Sequence, residues 1–348
     1  MAGRRIVVTG AAGSVGRRVV QRLSERDDVE AVVALDIRPV TVVSPKVEAH
    51  IADVTLRVID DFTRGADVLV HLATAFDPRR DGRDATDEDI ALSERVLSAA
   101  RREHVPRLVV LSSAMTYGAW ADNPVPLTEE APRRPNPEFA FAVAKAALED
   151  LAEKHALEHP GTTVTVLRPT TALAEDATSW VARTLRSLTG VDTGAEEPPS
   201  QYLHLDDLAA AVELAATGDL DGSFNVAPDG SVDGETVREL RGVAPRVRVP
   251  TDLLARLMAF GWRHRLGPTP PGILPYLAHP WVVANDRLRS AGWEPEYTNE
   301  QAFVAGTPPR PWAMVTPKRR QQLSLGALAV AVAAAVAGGI FAWRRLRR

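Results

Sequence analysis

The chain has 348 residues, a net charge of −4, and 45% hydrophobic and 25% charged side chains, an ordinary globular balance with length enough for a substantial core. It has no cysteine, which excludes disulfides, thiolate nucleophiles and zinc–thiolate sites, and the eight histidines show no metal-ligand spacing, so no metal is expected. The acidic balance, with no basic patch interleaved with aromatics, gives no nucleic acid a surface to bind.

Met1–Arg5 runs straight into the first predicted strand, so no cleavable signal peptide is expected ahead of it. Ile6–Val8 is a β-branched run that reads as a buried strand, and Val19, Val20 and Leu23 recur at helical spacing. Between them stands Thr9–Gly10–Ala11–Ala12–Gly13–Ser14–Val15–Gly16, a glycine-rich strand-to-helix turn. Gly10 suits the tight turn, Gly13 lets the backbone approach a pyrophosphate, and Gly16 lets helix and strand pack closely. The backbone from Ala12 through Ser14 and Val15 then offers N–H groups and a positive dipole end to phosphates.

The next apolar run, Ala31–Leu35, ends in Asp36, 20 residues after Gly16. An acid there accepts hydrogen bonds from ribose hydroxyls and repels a 2′-phosphate, which favours NAD over NADP. Arg38 complicates this reading, because an arginine at that point can pair with a 2′-phosphate. Further short segments follow at Ile51–Val54 and Asp67–Ala73, separated by helical stretches, so a parallel α/β sheet with right-handed crossovers is expected. Asp53 reads either as a turn acid or as an adenine contact. His71 ends an apolar strand and reads as structural.

Several motifs now stand in order: TGAAGSVG at Thr9–Gly16, ALDIR at Ala34–Arg38, HLA at His71–Ala73 and SSAMTYG at Ser112–Gly118. The series continues with TEEAPRRPNP at Thr128–Pro137, Lys145, LRP at Leu167–Pro169, HLDDLA at His204–Ala209, FNVAPDG at Phe224–Gly230 and AGWEP at Ala291–Pro295. Over about residues 4–300 the chain resembles the extended short-chain dehydrogenase/reductase family, also called the NAD-dependent epimerase/dehydratase family. The resemblance implies a Rossmann-type doubly wound parallel sheet with a smaller C-terminal substrate lobe. It divides the chain into an NAD-binding part, 1–170 with 203–227 returning to it, and a substrate lobe, 171–202 and 228–306. It also implies cofactor contacts from Asp53, Val54, Leu72, Ala73, Lys145, Pro169 and Thr170.

The family's chemistry, as the resemblance implies it, uses a Tyr-x-x-x-Lys pair and a preceding Ser or Thr. Spacing of four puts phenol and ammonium on one helical face, where the charge lowers the phenol's pKa. Ser113 and Lys145 fill two of these places, but Phe141 stands where the tyrosine belongs. Loss of a general acid/base is typically worth about 10²–10⁴-fold. Tyr117 is the nearest substitute and a candidate substrate contact. Asp89 occupies a place where many relatives carry Asn.

Beyond Pro169, Thr170–Thr171 would lie near the nicotinamide, a helix is expected at Trp180–Leu188, and Asp206 or Asp207 reads as a cap or structural acid at a helix start. Arg246 and Arg248 alternate with valines in a predicted strand, Val243–Val249, and are candidates for a substrate diphosphate. Leu253–Trp262 and Pro268–Tyr276 are apolar and aromatic, suited to line a lipidic pocket or to pack on a membrane. A Pro-rich and basic linker, 307–322, precedes an uncharged stretch at 323–343 with arginines on both flanks. Its length of about 21 residues reads as a transmembrane helix.

The expected function is an NAD-binding, membrane-anchored epimerase/dehydratase acting by transient hydride transfer on a nucleotide-sugar or lipid-linked sugar. The globular part is placed in the cytoplasm, and a homodimer is left open. Two alternatives stand beside it: a non-catalytic NAD-binding scaffold or regulator at the membrane, and a sterol or isoprenoid alcohol dehydrogenase.

Overall fold

A computed structural model describes residues 3–56, 59–75, 82–176, 180–188, 191–192, 197–241, 247–266 and 269–307. In chain order β1 (Arg4–Thr9), α1 (Ser14–Glu25), β2 (Val29–Asp36), β3 (Val47–Ile51), α2 (Ile59–Thr63), β4 (Val68–His71), α3 (Gly82–Arg102), β5 (Arg107–Leu111), α4 (Ala140–Glu158) and β6 (Thr163–Pro169) alternate strand and helix, except that β3 follows β2 directly. Then come β7 (Thr171–Leu173), α5 (Trp180–Leu188), β8 (Val191–Asp192), β9 (Tyr202–His204), α6 (Leu205–Thr217) and β10 (Gly222–Val226). The last elements are α7 (Gly234–Arg241), β11 (Val247–Arg248), α8 (Thr251–Arg263), α9 (Pro275–Ala278), α10 (Asp286–Ser290) and α11 (Asn299–Ala305).

Among the described residues one parallel sheet runs in the order β10-β6-β5-β4-β1-β2-β3. Winding reverses between β1 and β4, which pair from Ile6↔Val68 to Thr9↔His71. A crevice therefore opens beyond the C-terminal ends of these two strands. The apolar runs are continuous because both faces are covered. Ile6, Val8, Ala34 and Val70 pack with Val19 and Leu23 of α1 and Leu208 and Val212 of α6. On the opposite face, Val7, Val33, Leu35 and Leu69 meet Leu92 and Val96 of α3 and Leu148 and Ala152 of α4. Burying each such Val, Leu or Ile contributes about 1.5–3 kcal/mol.

Two details depart from the sequence reading. The expected segment Ile51–Val54 is displaced toward the N-terminus: β3 ends at Ile51, and most of its residues are exposed, so it has no apolar run to read. After it, Asp53 closes an Asx turn, its Oδ1 accepting from Thr55 N at 2.9 Å and from Thr55 Oγ1 at 2.6 Å. Of the expected strand Val243–Val249, Val247–Arg248 is extended beside Val191–Asp192, while 242–246, including Arg246, lies outside the described residues.

Met1–Gly306 forms one compact unit, and Thr307–Arg348 groups separately. The expected membrane span at 323–343 lies outside the described residues, among which no helix is long and apolar enough to cross a membrane.

Candidate active site

The glycine turn sits at the mouth of the crevice. Gly10 has φ of +75°, and a Cβ there would stand 2.6 Å from the Ala73 nitrogen. At Gly16 a Cβ would meet the Gly10 carbonyl at 2.1 Å, so helix and turn touch only because this residue lacks one. Gly13 is the N-cap residue of α1, with no side-chain cap and no acid in the first turn. An anion at this helix N-terminus would meet no competing carboxylate from the first turn of α1.

Asp36 closes the turn from below. Its Oδ2 accepts from Ala12 N at 3.0 Å, its Oδ1 accepts from Arg38 N at 2.9 Å, and the Arg38 Nε lies 3.2 Å from Oδ1. The Asp36 side chain is 5% exposed, that of Arg38 63%. Arg38 is therefore tied to the acid and only partly free for any phosphate.

From β4 a polar chain leads inward. Ala73 N donates to Thr9 Oγ1 at 3.4 Å, Thr9 Oγ1 lies 2.9 Å from His71 Nδ1, and His71 Nε2 lies 3.4 Å from Ser93 Oγ. Ser93 in turn donates to the Asp89 carbonyl at 2.9 Å. Burial, reinforced by the Lys145 charge and partly opposed by Asp89, pushes the His71 pKa down to about 4. The imidazole is neutral near pH 7, as befits a brace.

Asp89 and Lys145 face one another nearby, both buried. Asp89 Oδ1 accepts from Thr74 Oγ1 at 2.6 Å and from Ala75 N at 2.7 Å, and its Oδ2 lies 3.9 Å from Lys145 Nζ. One helical turn before Lys145, the Phe141 ring has its centroid 6.0 Å from Nζ. The i, i+4 pair is thus formed with an ammonium and a ring that carries no hydroxyl.

Ser113 is buried, and its Oγ accepts from Met115 N at 3.2 Å, capping the short turn Ala114–Tyr117. Tyr117 does not make good the missing phenol. It is 1% exposed, donates to Asn225 Oδ1 at 2.8 Å, and accepts from Arg168 Nη1 at 2.7 Å. Burial pushes its pKa up to about 12, so both as proton donor and as substrate contact Tyr117 is spent on structure.

Below it lies a network that the sequence reading missed. Arg168 places Nη2 2.6 Å and Nε 2.9 Å from Glu149 Oε2, Arg133 Nη1 approaches the same oxygen at 3.4 Å, and Ser112 donates to Glu149 Oε1. Burial alone would lower the Arg168 pKa, but Glu149 beside it raises it above the ordinary value. The available signal was an arginine inside the apolar run Thr163–Pro169, which demanded a buried carboxylate.

On the far side of Phe141 the surroundings are aromatic. Trp180 meets it edge-on at 5.5 Å, and Phe139 packs on both rings and on Tyr276 at 5.3 Å. Tyr276 donates to the Met115 carbonyl at 2.8 Å and forms, with Leu185, Val237, Leu254, Gln201 and Trp281, part of the wall of a cleft.

The remaining expected contacts divide. Leu72 N donates to Thr9 O at 3.2 Å, keeping Leu72 and Ala73 at the crevice. Pro169 ends β6, and after it the buried Thr170 Oγ1 has no hydrogen-bond partner, an orphan donor at the strand ends. The Val54 side chain is buried in the core, 6% exposed among Val7, Leu69 and Ile59. Arg248 is exposed. At α6 the cap is His204, whose Nδ1 accepts from Asp206 N at 3.2 Å, while Asp207 accepts from Glu296 N and Tyr297 N at 2.9 and 3.2 Å. Asp206 instead pairs with Arg18 at 2.5 Å.

A parallel sheet with this strand order, a glycine turn at its switch point and an acid closing that turn define a Rossmann-type dinucleotide fold. The chain belongs to the NAD dependent epimerase/dehydratase family, whose model matches residues 6–227. An uncharacterized protein of Mycobacterium tuberculosis and one of Mycobacterium bovis are each 27% identical over 320 residues, 86% of this chain and 82% of theirs. Among solved structures, the Thermus thermophilus UDP-glucose 4-epimerase complexed with NAD is similar with a TM-score of 0.64 and 22% identity, over 87% of this chain and 97% of that one. The Methanobrevibacter ruminantium UDP-N-acetylglucosamine 4-epimerase, complexed with UDP-N-acetylmuramic acid, has a TM-score of 0.65 and 18% identity, over 88% and 97%.

Proposed function

We propose that the chain binds NAD on the Gly10–Gly16 turn and uses it in the transient oxidation of a nucleotide-linked or lipid-linked sugar. The observation that carries the reading is the cradle itself: space at Gly10 and Gly16 that a Cβ would fill, an uncapped helix N-terminus, and Asp36 at its floor. NAD supplies a hydride acceptor when bound. For this chain's own part, Asp36 would take the adenosine ribose hydroxyls, Lys145 would reach the nicotinamide ribose, and Ser113 would hold the reacting oxygen. Phe141 moves no proton.

That last point favours a second reading, a non-catalytic NAD-binding module, because Phe141 is packed against Trp180 and Lys145 already faces Asp89. A test of both titrates the full chain with NAD and NADP by calorimetry and follows UDP-hexose turnover in wild type and Phe141→Tyr. The catalytic reading expects NAD to bind at least about tenfold more tightly than NADP and the tyrosine variant to gain about 10²–10⁴-fold in turnover. NAD binding without any gain, and without isotope exchange at the nicotinamide, leaves the non-catalytic reading. No NAD binding sinks both. The proposal includes a membrane anchor at 323–343 with the globular part cytoplasmic, for which flotation of the full chain with vesicles and protease protection in cells are the checks.

A further inference from the structure

Helix α8 has an apolar face that faces solvent. Leu253, Leu257 and Phe260 are 48%, 55% and 58% exposed, at i, i+4 and i+7. Spacing of this kind aligns three side chains in one stripe, and a globular protein normally turns such a stripe inward. Here the inward position is taken by Leu254, the buried residue of the helix, which lines the aromatic cleft with Tyr276 and Trp281. Past the helix end Leu266 is exposed as well, at 73%.

The charges beside it identify the partner. Arg256 and Arg263 are both exposed and seven residues apart, so they form a row along one flank of the stripe, and Arg265 follows. Against them the helix carries one acid, Asp252, in its first turn. An apolar stripe flanked by arginines is the pattern of a helix lying in the interface of an anionic bilayer. The sequence past the described residues agrees: 308–348 contains an uncharged stretch at 323–343 between basic clusters. A chain tethered there would hold its globular unit close to a lipid surface.

We infer that α8 is a membrane-surface helix, which docks Leu253, Leu257 and Phe260 into anionic lipid and so sets one wall of the cleft against the bilayer. The inference does not require the substrate or the chemistry proposed above.

Because the chain has no cysteine, single substitutions can carry one environment-sensitive fluorophore each. The full chain labelled at Leu257→Cys or Phe260→Cys is mixed with phosphatidylglycerol/phosphatidylcholine vesicles containing brominated acyl chains, with Leu157→Cys on α4, at an exposed position, as the reference. Insertion to a depth of about 5–10 Å predicts roughly twofold quenching at 257 and 260 and none at 157. Replacing Arg256 and Arg263 by Gln lowers vesicle affinity of the helix by about fivefold per arginine. A chain that floats with vesicles while the 257 label stays in water overturns the α8 inference and leaves the anchor standing. One that fails to float overturns both. A label shielded without lipid, in proportion to protein concentration, assigns the stripe to a second copy and overturns the lipid assignment.

Discussion

Helix α4 carries two buried ion pairs one turn apart, and they are built differently. Glu149 is gripped by Arg168 through two contacts, with Arg133 and Ser112 completing its shell and no exposed surface left. Lys145 meets Asp89 at 3.9 Å through one contact, beside the Phe141 ring and the mouth of the crevice. The tight pair fixes α4 against β6, and its charges are fully committed. The loose one leaves the Lys145 ammonium with a single, longer contact. The difference separates a residue committed to the fold from one that, under the proposed function, would serve a ligand, although both are buried and charged.

Breaking the tight pair has the largest expected effect. Glu149→Ala leaves Arg168 buried without its partner and should cost about 3–5 kcal/mol in denaturant unfolding; a cost below about 1 kcal/mol would erase the contrast between the pairs. Next comes acidification. His71, beside Lys145, has its folded-state pKa lowered to about 4 from 6.5, so the unfolded chain binds the proton first as pH falls. Its contribution is complete above pH 6.5 and declines toward pH 4, by at most about 3 kcal/mol. His71→Asn should flatten the stability–pH curve in that window.

Gly10→Ala tests the loop that the loose pair helps to hold. Its positive φ and the approach to Ala73 predict a loss of about 1–3 kcal/mol together with loss of NAD binding, measured by melting with and without NAD. The smallest effect belongs to Asp89→Asn, because an amide oxygen still accepts from Thr74 and Ala75. A cost of about 1 kcal/mol is expected, well under that of Glu149→Ala, with NAD affinity changed more than stability.

What the sequence disclosed was local. The glycine turn, Asp36 and the apolar strands are legible because each signal lies within a few consecutive residues and repeats a period imposed by the fold. Phe141 was legible only through the resemblance, which puts a tyrosine four residues before Lys145. Arg168, Glu149, Tyr117 and Asn225 were not, since their partners stand 19 to 108 residues apart and only the sheet brings them together. The sequence of α8 left open whether its apolar residues line a pocket or pack on a membrane, and the exposure of Leu253, Leu257 and Phe260 shows which of them face outward.

The chain of contacts from Ala73 to Asp89 has a direction. Ser93 gives its one proton to the Asp89 carbonyl, so toward His71 it can only accept, and His71 must carry hydrogen on Nε2. Nδ1 is then an acceptor, Thr9 must point its hydroxyl hydrogen at it, and Thr9 is left to receive Ala73 N–H. Every donor points the same way, from the glycine turn toward α3. A second hydrogen on the imidazole would make Nδ1 a donor and oblige the Thr9 hydroxyl to turn away and accept, so with a neutral ring the order of single protons selects one tautomer of His71.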